Sequence, residues 1–210
     1  MSARPTARTS HRRAPRGKRV PDLARAARAV DDFLRALGVP PESDPELAET
    51  ASRVAAAWRE DLISGYWMDP KRILADSTAS SAPGLVVVRG ISLATMCPHH
   101  LLPATGVAHV GYLPGRSVIG LGAIGKLVDC FSRRLELQEA IGRNIVDALV
   151  ELAGARGAGC VIELSQTCAI VRGERRHGSS MVTTAWAGVL ETDDAARAEL
   201  LGAALAERRR

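Results

Sequence analysis

Two periods of apolar residues alternate along this chain. From Pro21, residues Leu23, Ala27, Val30, Leu34 and Leu37 recur at intervals of three and four, which is one face of a helix, and Gly38 with Pro40 supplies the stop. A second helix is predicted from Asp44-Pro45, an N-cap followed by proline at the first helical position. It carries Leu47, Ala51, Val54, Trp58 and Leu62 as far as Gly65 and pairs with the first. After a polar stretch at 76–83 the period shortens to two. Residues 85–97 and 107–113 alternate and are rich in Val and Ile, as paired antiparallel strands are. Pro114-Gly115-Arg116 reads as a turn, and helical spacing returns from Ile119 to Phe131. A longer helix follows with Leu137, Ile141, Ile145, Ala148 and Leu152 in one stripe. Gly157 and Gly159 precede a strand predicted at 160–171, another covers 182–190, and Asp193-Asp194 open a C-terminal helix rich in Ala and Leu.

The order ααββααββα predicts an α+β fold: a four-stranded antiparallel sheet with its helices on one face, preceded by an N-terminal helix pair. The uncovered face of such a sheet calls for a partner, so a homo-oligomer is expected. The chain divides into a basic leader at 1–20, a helical segment at 21–75 and a sheet-bearing domain at 76–210.

Charge changes this picture less than it first suggests. The formal charge is +5, but Arg4, Arg8, Arg12, Arg13, Arg16, Lys18 and Arg19 stand in the leader with no acid, which leaves 21–210 at −2. The body thus lacks the positive surface that tracks phosphates, which argues against a nucleic-acid partner. The leader is rich in Arg, Pro, Ser and Thr, a composition expected to stay disordered. It has no apolar core of the kind a secretory signal carries, and no run of about 18 uncharged apolar residues suggests a membrane span. A cytoplasmic protein is expected. With 3% aromatic residues in a chain that is 46% hydrophobic, Val, Leu, Ile and Ala must build the core.

Four cysteines, at 97, 130, 160 and 168, do not need to be disulfides in a chain this long, and metal binding is the better use of some of them in a reducing compartment. Cys97-Pro98-His99-His100 offers thiolate and imidazole at the end of a predicted strand. Cys168 on a later strand is the best remote donor, giving two sulfurs, one imidazole and an open position, as a catalytic zinc site requires. Spacing leaves the histidine open: strand alternation puts Cys97 and His99 on one face, whereas a bend at Pro98 brings His100 round. The other histidine is then free for proton transfer. Cys130 and Cys160 read as buried core thiols, His109 as a structural strand residue and His177 as solvated.

Taken together, Cys97-Pro98-His99-His100-Leu101-Leu102-Pro103, Val118-Ile119-Gly120-Leu121 and Arg133-Arg134-Leu135-Glu136-Leu137-Gln138-Glu139 resemble the GTP cyclohydrolase I family in order and spacing. The resemblance runs on through Val161-Ile162-Glu163, Cys168 and Arg172-Gly173 and back to Asp61-Leu62-Ile63-Ser64-Gly65-Tyr66, covering about residues 22–205. It implies a tunnelling fold (T-fold), a homodecamer of two pentameric rings with sites between subunits, a zinc ion, and a purine nucleotide substrate, GTP or guanine-like. Carried over by position, it implies Cys97, His100 and Cys168 as zinc ligands and His99 as the proton-transfer group. It further implies Gln138 and Glu139 for the base, and Lys71, Lys126 and Arg172 for phosphate. The implied reaction opens the imidazole ring of GTP, releases formate and closes 7,8-dihydroneopterin triphosphate, a step of pterin and tetrahydrofolate biosynthesis.

This sequence departs from the family pattern at defined places. Gln166 stands where the family has a second catalytic histidine, and an amide hydrogen-bonds without exchanging a proton near neutral pH. Pro98 replaces a glutamate, Gly122-Ala123 replaces a Ser-Lys pair, and Lys126 replaces an arginine. One lost cationic contact to phosphate costs about 1.5–3 kcal/mol. These departures motivate two further readings: a cyclohydrolase that stops at the ring-opened formamide or takes a guanine-like substrate without triphosphate, and a catalytically silent zinc and nucleotide-binding protein.

Overall fold

A computed structural model describes residues 20–80, 84–172 and 175–205. The basic leader, apart from Val20, lies outside the described residues, as do 81–83 of the polar stretch. Helix α1 (Leu23–Ala36) begins where Asp22 accepts from the Arg25 N–H at 2.9 Å and stops at Gly38, whose φ is +79°. It packs on α2 (Thr50–Ala57), yet it contains no buried residue.

The long second helix predicted from 44 to 65 is instead a broken series. Asp44 caps a 3₁₀ turn at Pro45–Leu47, α2 follows, a π turn covers Trp58–Leu62, and a 3₁₀ turn covers Ser64–Trp67. The cause of the break lies across the molecule, at Gly65. Its N–H donates to the Arg133 carbonyl at 3.0 Å, and a Cβ there would stand 2.5 Å from the Cys130 carbonyl oxygen. The chain must flatten so that its backbone can dock on the end of α4 (Leu121–Ser132). Between them come a single helical turn, α3 (Pro70–Ile73), and a small ladder in which β1 (Ser77–Ala79) pairs with β4 (Ser117–Ile119).

The main sheet has the order β2-β3-β5-β6 and is antiparallel throughout, formed by Val86–Met96, Pro103–Leu113, Gly157–Gln166 and Met181–Gly188. Ladder register places Ala104, Ala108, Val110 and Tyr112 of β3 and Ala158, Cys160, Ile162 and Leu164 of β5 on one face. There they meet Ile124, Leu127 and Val128 of α4 and Ile141, Ile145 and Leu149 of α5 (Gln138–Glu151) in the main core. Burial of these branched side chains, each worth about 1.5–3 kcal/mol, holds both helices on the sheet. The C-terminal helix α7 (Asp194–Leu205) takes the other face. Its Leu200 lies over Gly111 and Gly159, where a Cβ would come within 2.3 and 2.8 Å of the leucine side chain. The larger helices thus share one face as expected, while α7 covers part of the second.

β3 and β5 begin well before their predicted starts, and β5 and β6 stop short of their predicted ends. β3 starts at Pro103, because pairing to β2 and β5 on both sides overrides the weak strand propensity of Pro103–Gly106. β5 takes in Gly157 and Gly159 because the Trp186 ring lies where a Cβ of Gly159 would be. The strand predicted to run to 171 ends at Gln166, and Thr167–Ile170 form one helical turn, α6. β6 ends at Gly188, whose φ of +62° turns the chain into a 3₁₀ turn at Val189–Glu191.

Candidate metal centre

Residues 97–102 connect β2 to β3 in a tight loop. The Cys97 N–H donates to the Leu102 carbonyl and the Leu101 N–H to the Cys97 carbonyl, both at 2.9 Å. Leu101 adopts φ +55°, a left-handed conformation that costs a side-chain-bearing residue about 1–2 kcal/mol. This reversal closes the loop and brings His100 back beside Cys97, with Nδ1 3.8 Å from Sγ. Register aligns Met96 with Pro103 and Ala104 with Gln166, so the end of β5 lies at the same end of the sheet. The α6 turn after Gln166 then carries Cys168 into the group. The candidate ligand atoms of Cys97, His100 and Cys168 all lie within 4.8 Å of one another.

Two sulfurs and an imidazole form a donor set suited to zinc. Ligands about 2.0–2.3 Å from a common tetrahedral ion stand roughly 3.5–3.8 Å apart, close to the Cys97–His100 separation. Burial, and then the neighbouring Cys97 thiol, push the Cys168 thiol above its usual range. Two thiolates so close repel unless a cation lies between them, so the donor chemistry fits a metal. By contrast, Cys130 and Cys160 are fully buried. Burial raises the Cys130 thiol although Arg134 opposes the shift, and burial alone pushes Cys160 up to about 12. Both remain protonated core residues, as the sequence suggested.

The other expected residues fall into three groups. His99 is exposed on the loop, with Nδ1 4.0 Å from the Cys97 Sγ. Glu139 stands exposed in the first turn of α5, where a negative charge suits the helix dipole, and Arg172 is exposed four residues beyond Cys168. Lys71 and Lys126 are exposed on α3 and α4, elements that carry none of the clustered donors. Gln138 is 3% exposed. Its Nε2 donates to the carbonyls of Ile162 and Met181 at 3.0 and 2.9 Å, and its Oε1 accepts from the Gln166 Nε2 at 3.0 Å. Nothing in the sequence marks that contact, which joins residues 28 positions apart on a helix and a strand. His109 serves structure: its Nδ1 accepts from the Gly90 N–H at 3.4 Å, at the bulge of β2. His177 is exposed in the loop before β6.

A cavity of about 480 Å³ opens along β2 and β3 beside the loop at 97–102, lined in part by Asp61, Thr95, Met96, Pro103, Asp129 and Arg133. The clustered donors are not among its walls, and the centre lies open on the surface of a single chain. No helix among the described residues is long and apolar enough to cross a membrane.

Residues 26–204 match the family model of GTP cyclohydrolase I. The chain is 42% identical to GTP cyclohydrolase 1 of Chromobacterium violaceum over 183 residues, 87% of this chain and 88% of that protein. It is 41% identical to GTP cyclohydrolase 1 of Mycobacterium leprae over 88% of this chain and 90% of that one, and 40% identical to the Rhodopirellula baltica enzyme over 86% and 78%. The archaeosine synthase QueF-Like in its apo form aligns with 51% of this chain and 97% of its own at a TM-score of 0.43 and 17% identity. The match to the family model and the identities over nearly the whole of each relative place this chain in the GTP cyclohydrolase I family.

Proposed function

We propose that this protein is a zinc-dependent cyclohydrolase that converts GTP to 7,8-dihydroneopterin triphosphate and formate. The observation that carries the reading is the convergence of Cys97, His100 and Cys168 beside an exposed His99, in a chain of this family. Cys97, His100 and Cys168 would hold zinc, which when bound lowers the pKa of water and polarises the group that water attacks. His99, an exposed imidazole beside Cys97, moves protons as the oxygen of water adds to purine C8 and the C8–N9 bond breaks. Glu139 faces solvent with a carboxylate suited to accept from the guanine N1–H and 2-amino group, a pair of donors that adenine lacks. Arg172, Lys71 and Lys126 supply positive charge for phosphate, the two lysines as point charges without the fork of an arginine.

The open centre and the exposed Phe33 on α1 support assembly into a homodecamer of two pentamers that covers the site. In the test, zinc-loaded protein is incubated with GTP while formate, pterin fluorescence and product mass are followed. Formate together with a fluorescent pterin is expected, and failure to alter any guanine nucleotide overturns the reading.

One observation favours a second reading. Gln166 stands two residues before Cys168, and its amide cannot transfer protons, a loss typically worth about 10² to 10⁴ in the step served. A product heavier than GTP by one water, with neither formate nor fluorescence, establishes this reading: a cyclohydrolase that stops at the ring-opened formamide.

A further inference from the structure

The amide orientations of Gln138 and Gln166 are fixed by the groups around them. Gln138 lies buried at the start of α5, facing the ends of β5 and β6. The carbonyls of Ile162 and Met181 can only accept, so the nitrogen of Gln138 must face them, and it donates to both. Its oxygen therefore faces Gln166. That oxygen can only accept, so Gln166 must turn its nitrogen to it, at 3.0 Å. What remains is the oxygen of Gln166, on the last residue of β5, which has no partner among the described residues. It is presented at the end of the sheet where the metal loop and α6 emerge.

We propose that Gln138 is a positioning residue rather than a contact for the purine base. It holds the Gln166 amide so that the Gln166 oxygen faces the Cys97, His100 and Cys168 centre and accepts a hydrogen bond from the bound purine or the attacking water. This inference rests on the cyclohydrolase reading above. A neutral imidazole divides its two nitrogens in the same way, one donating and one accepting, so Gln166 reproduces its hydrogen bonds without its proton. Gln138 has no free N–H to offer a substrate, because both are committed to the backbone carbonyls that tie β5 to β6.

The test is a double-mutant cycle on the zinc-loaded full chain with Gln138→Ala, Gln166→Ala and the double variant. Loss of purine absorbance gives kcat and KM with GTP, and zinc content is measured for each protein. A positioning role predicts that Gln138→Ala lowers kcat by about tenfold to a hundredfold, the scale of a misplaced group, with KM and zinc content unchanged. In the Gln166→Ala background the same change has no further effect. Losses that multiply, or a rise in KM with kcat unchanged, overturn the proposal in favour of a base contact.

Should Gln138→Ala fail to fold, substitutions at 166 decide. Gln166→His keeps a donor for Gln138 and an acceptor for the site, and its kcat should be no lower than that of the wild type. Gln166→Glu sets two oxygens against each other and should lose about tenfold or more. Wild-type kcat in Gln166→Glu overturns the clamp. Should the wild-type protein alter no guanine nucleotide, the functional reading falls separately, and urea midpoints of the cycle judge the clamp. Non-additive midpoints support it and additive ones overturn it.

Discussion

Cys168 joins Cys97 and His100 only because β5 gives way to a helical turn at Gln166, and two of the four cysteines are thereby set apart from the other two. Replacing Cys168 by Ala should lower zinc affinity by more than about 100-fold, since even residues that merely support metal ligands cost 10–100-fold. Zinc analysis after gel filtration checks this, and turnover should vanish with the metal. Cys160→Ala should keep its zinc, because its sulfur lies in the core. The Cys160 thiol instead makes itself felt in alkali. Its folded pKa, about 12, exceeds the usual thiol value, so the unfolded chain releases the proton first and stability falls as pH rises. Urea unfolding between pH 9.5 and 11 should lose about 1.4 kcal/mol per pH unit more in the wild type than in Cys160→Ala. For the base, Glu139→Gln exchanges a charged acceptor for a neutral amide. A drop in kcat/KM for GTP of about 10- to 150-fold is expected, the equivalent of 1.5–3 kcal/mol, with zinc content unchanged.

Elements in this chain end where a distant neighbour requires it. Gly65 shows this most directly. Gly65→Ala would drive a methyl against the carbonyls of Cys130 and Arg133, which are backbone atoms that cannot swing aside. A loss of about 1–3 kcal/mol is expected from chemical denaturation. The same residue explains what was legible beforehand. Periodicity exposed the existence and type of the principal helices and strands, because each buries a stripe that repeats along its own sequence. It could not expose the breaks at 58–67, set by the end of α4, the early start of β5, set by the Trp186 ring, or the early ends of β5 and β6, set by the turn that bears Cys168 and by the left-handed Gly188. For the site, the donor types and the remote Cys168 were legible from residue chemistry, whereas the choice between His99 and His100 was not. Alternation stops at Met96, and the loop beyond it follows the left-handed turn at Leu101. The link between Gln138 and Gln166 had no local signal at all, since each is an ordinary glutamine in its own element.

At the scale of the whole molecule, the sheet leaves β2 and β6 as open edges, and α1 turns apolar side chains to water. Phe33 on α1 and Leu37 at its C-cap are 61% and 63% exposed, on a helix that packs on α2 without fully burying any residue. An amphipathic helix draws its stability from packing, and the proposed assembly would cover the apolar side chains that α1 leaves exposed. Light scattering should therefore return a mass near ten chains of 22.3 kDa, about 220 kDa, for the proposed pair of pentamers. Phe33→Glu places a charge on that face without touching the sheet, the metal loop or α6. If α1 joins the two rings, the variant should elute as a species of half the mass, with zinc content and far-ultraviolet circular dichroism unchanged. A variant that keeps the full mass would show that α1 is not the joining surface, and one that loses zinc along with mass would show that the metal centre itself depends on contact between rings.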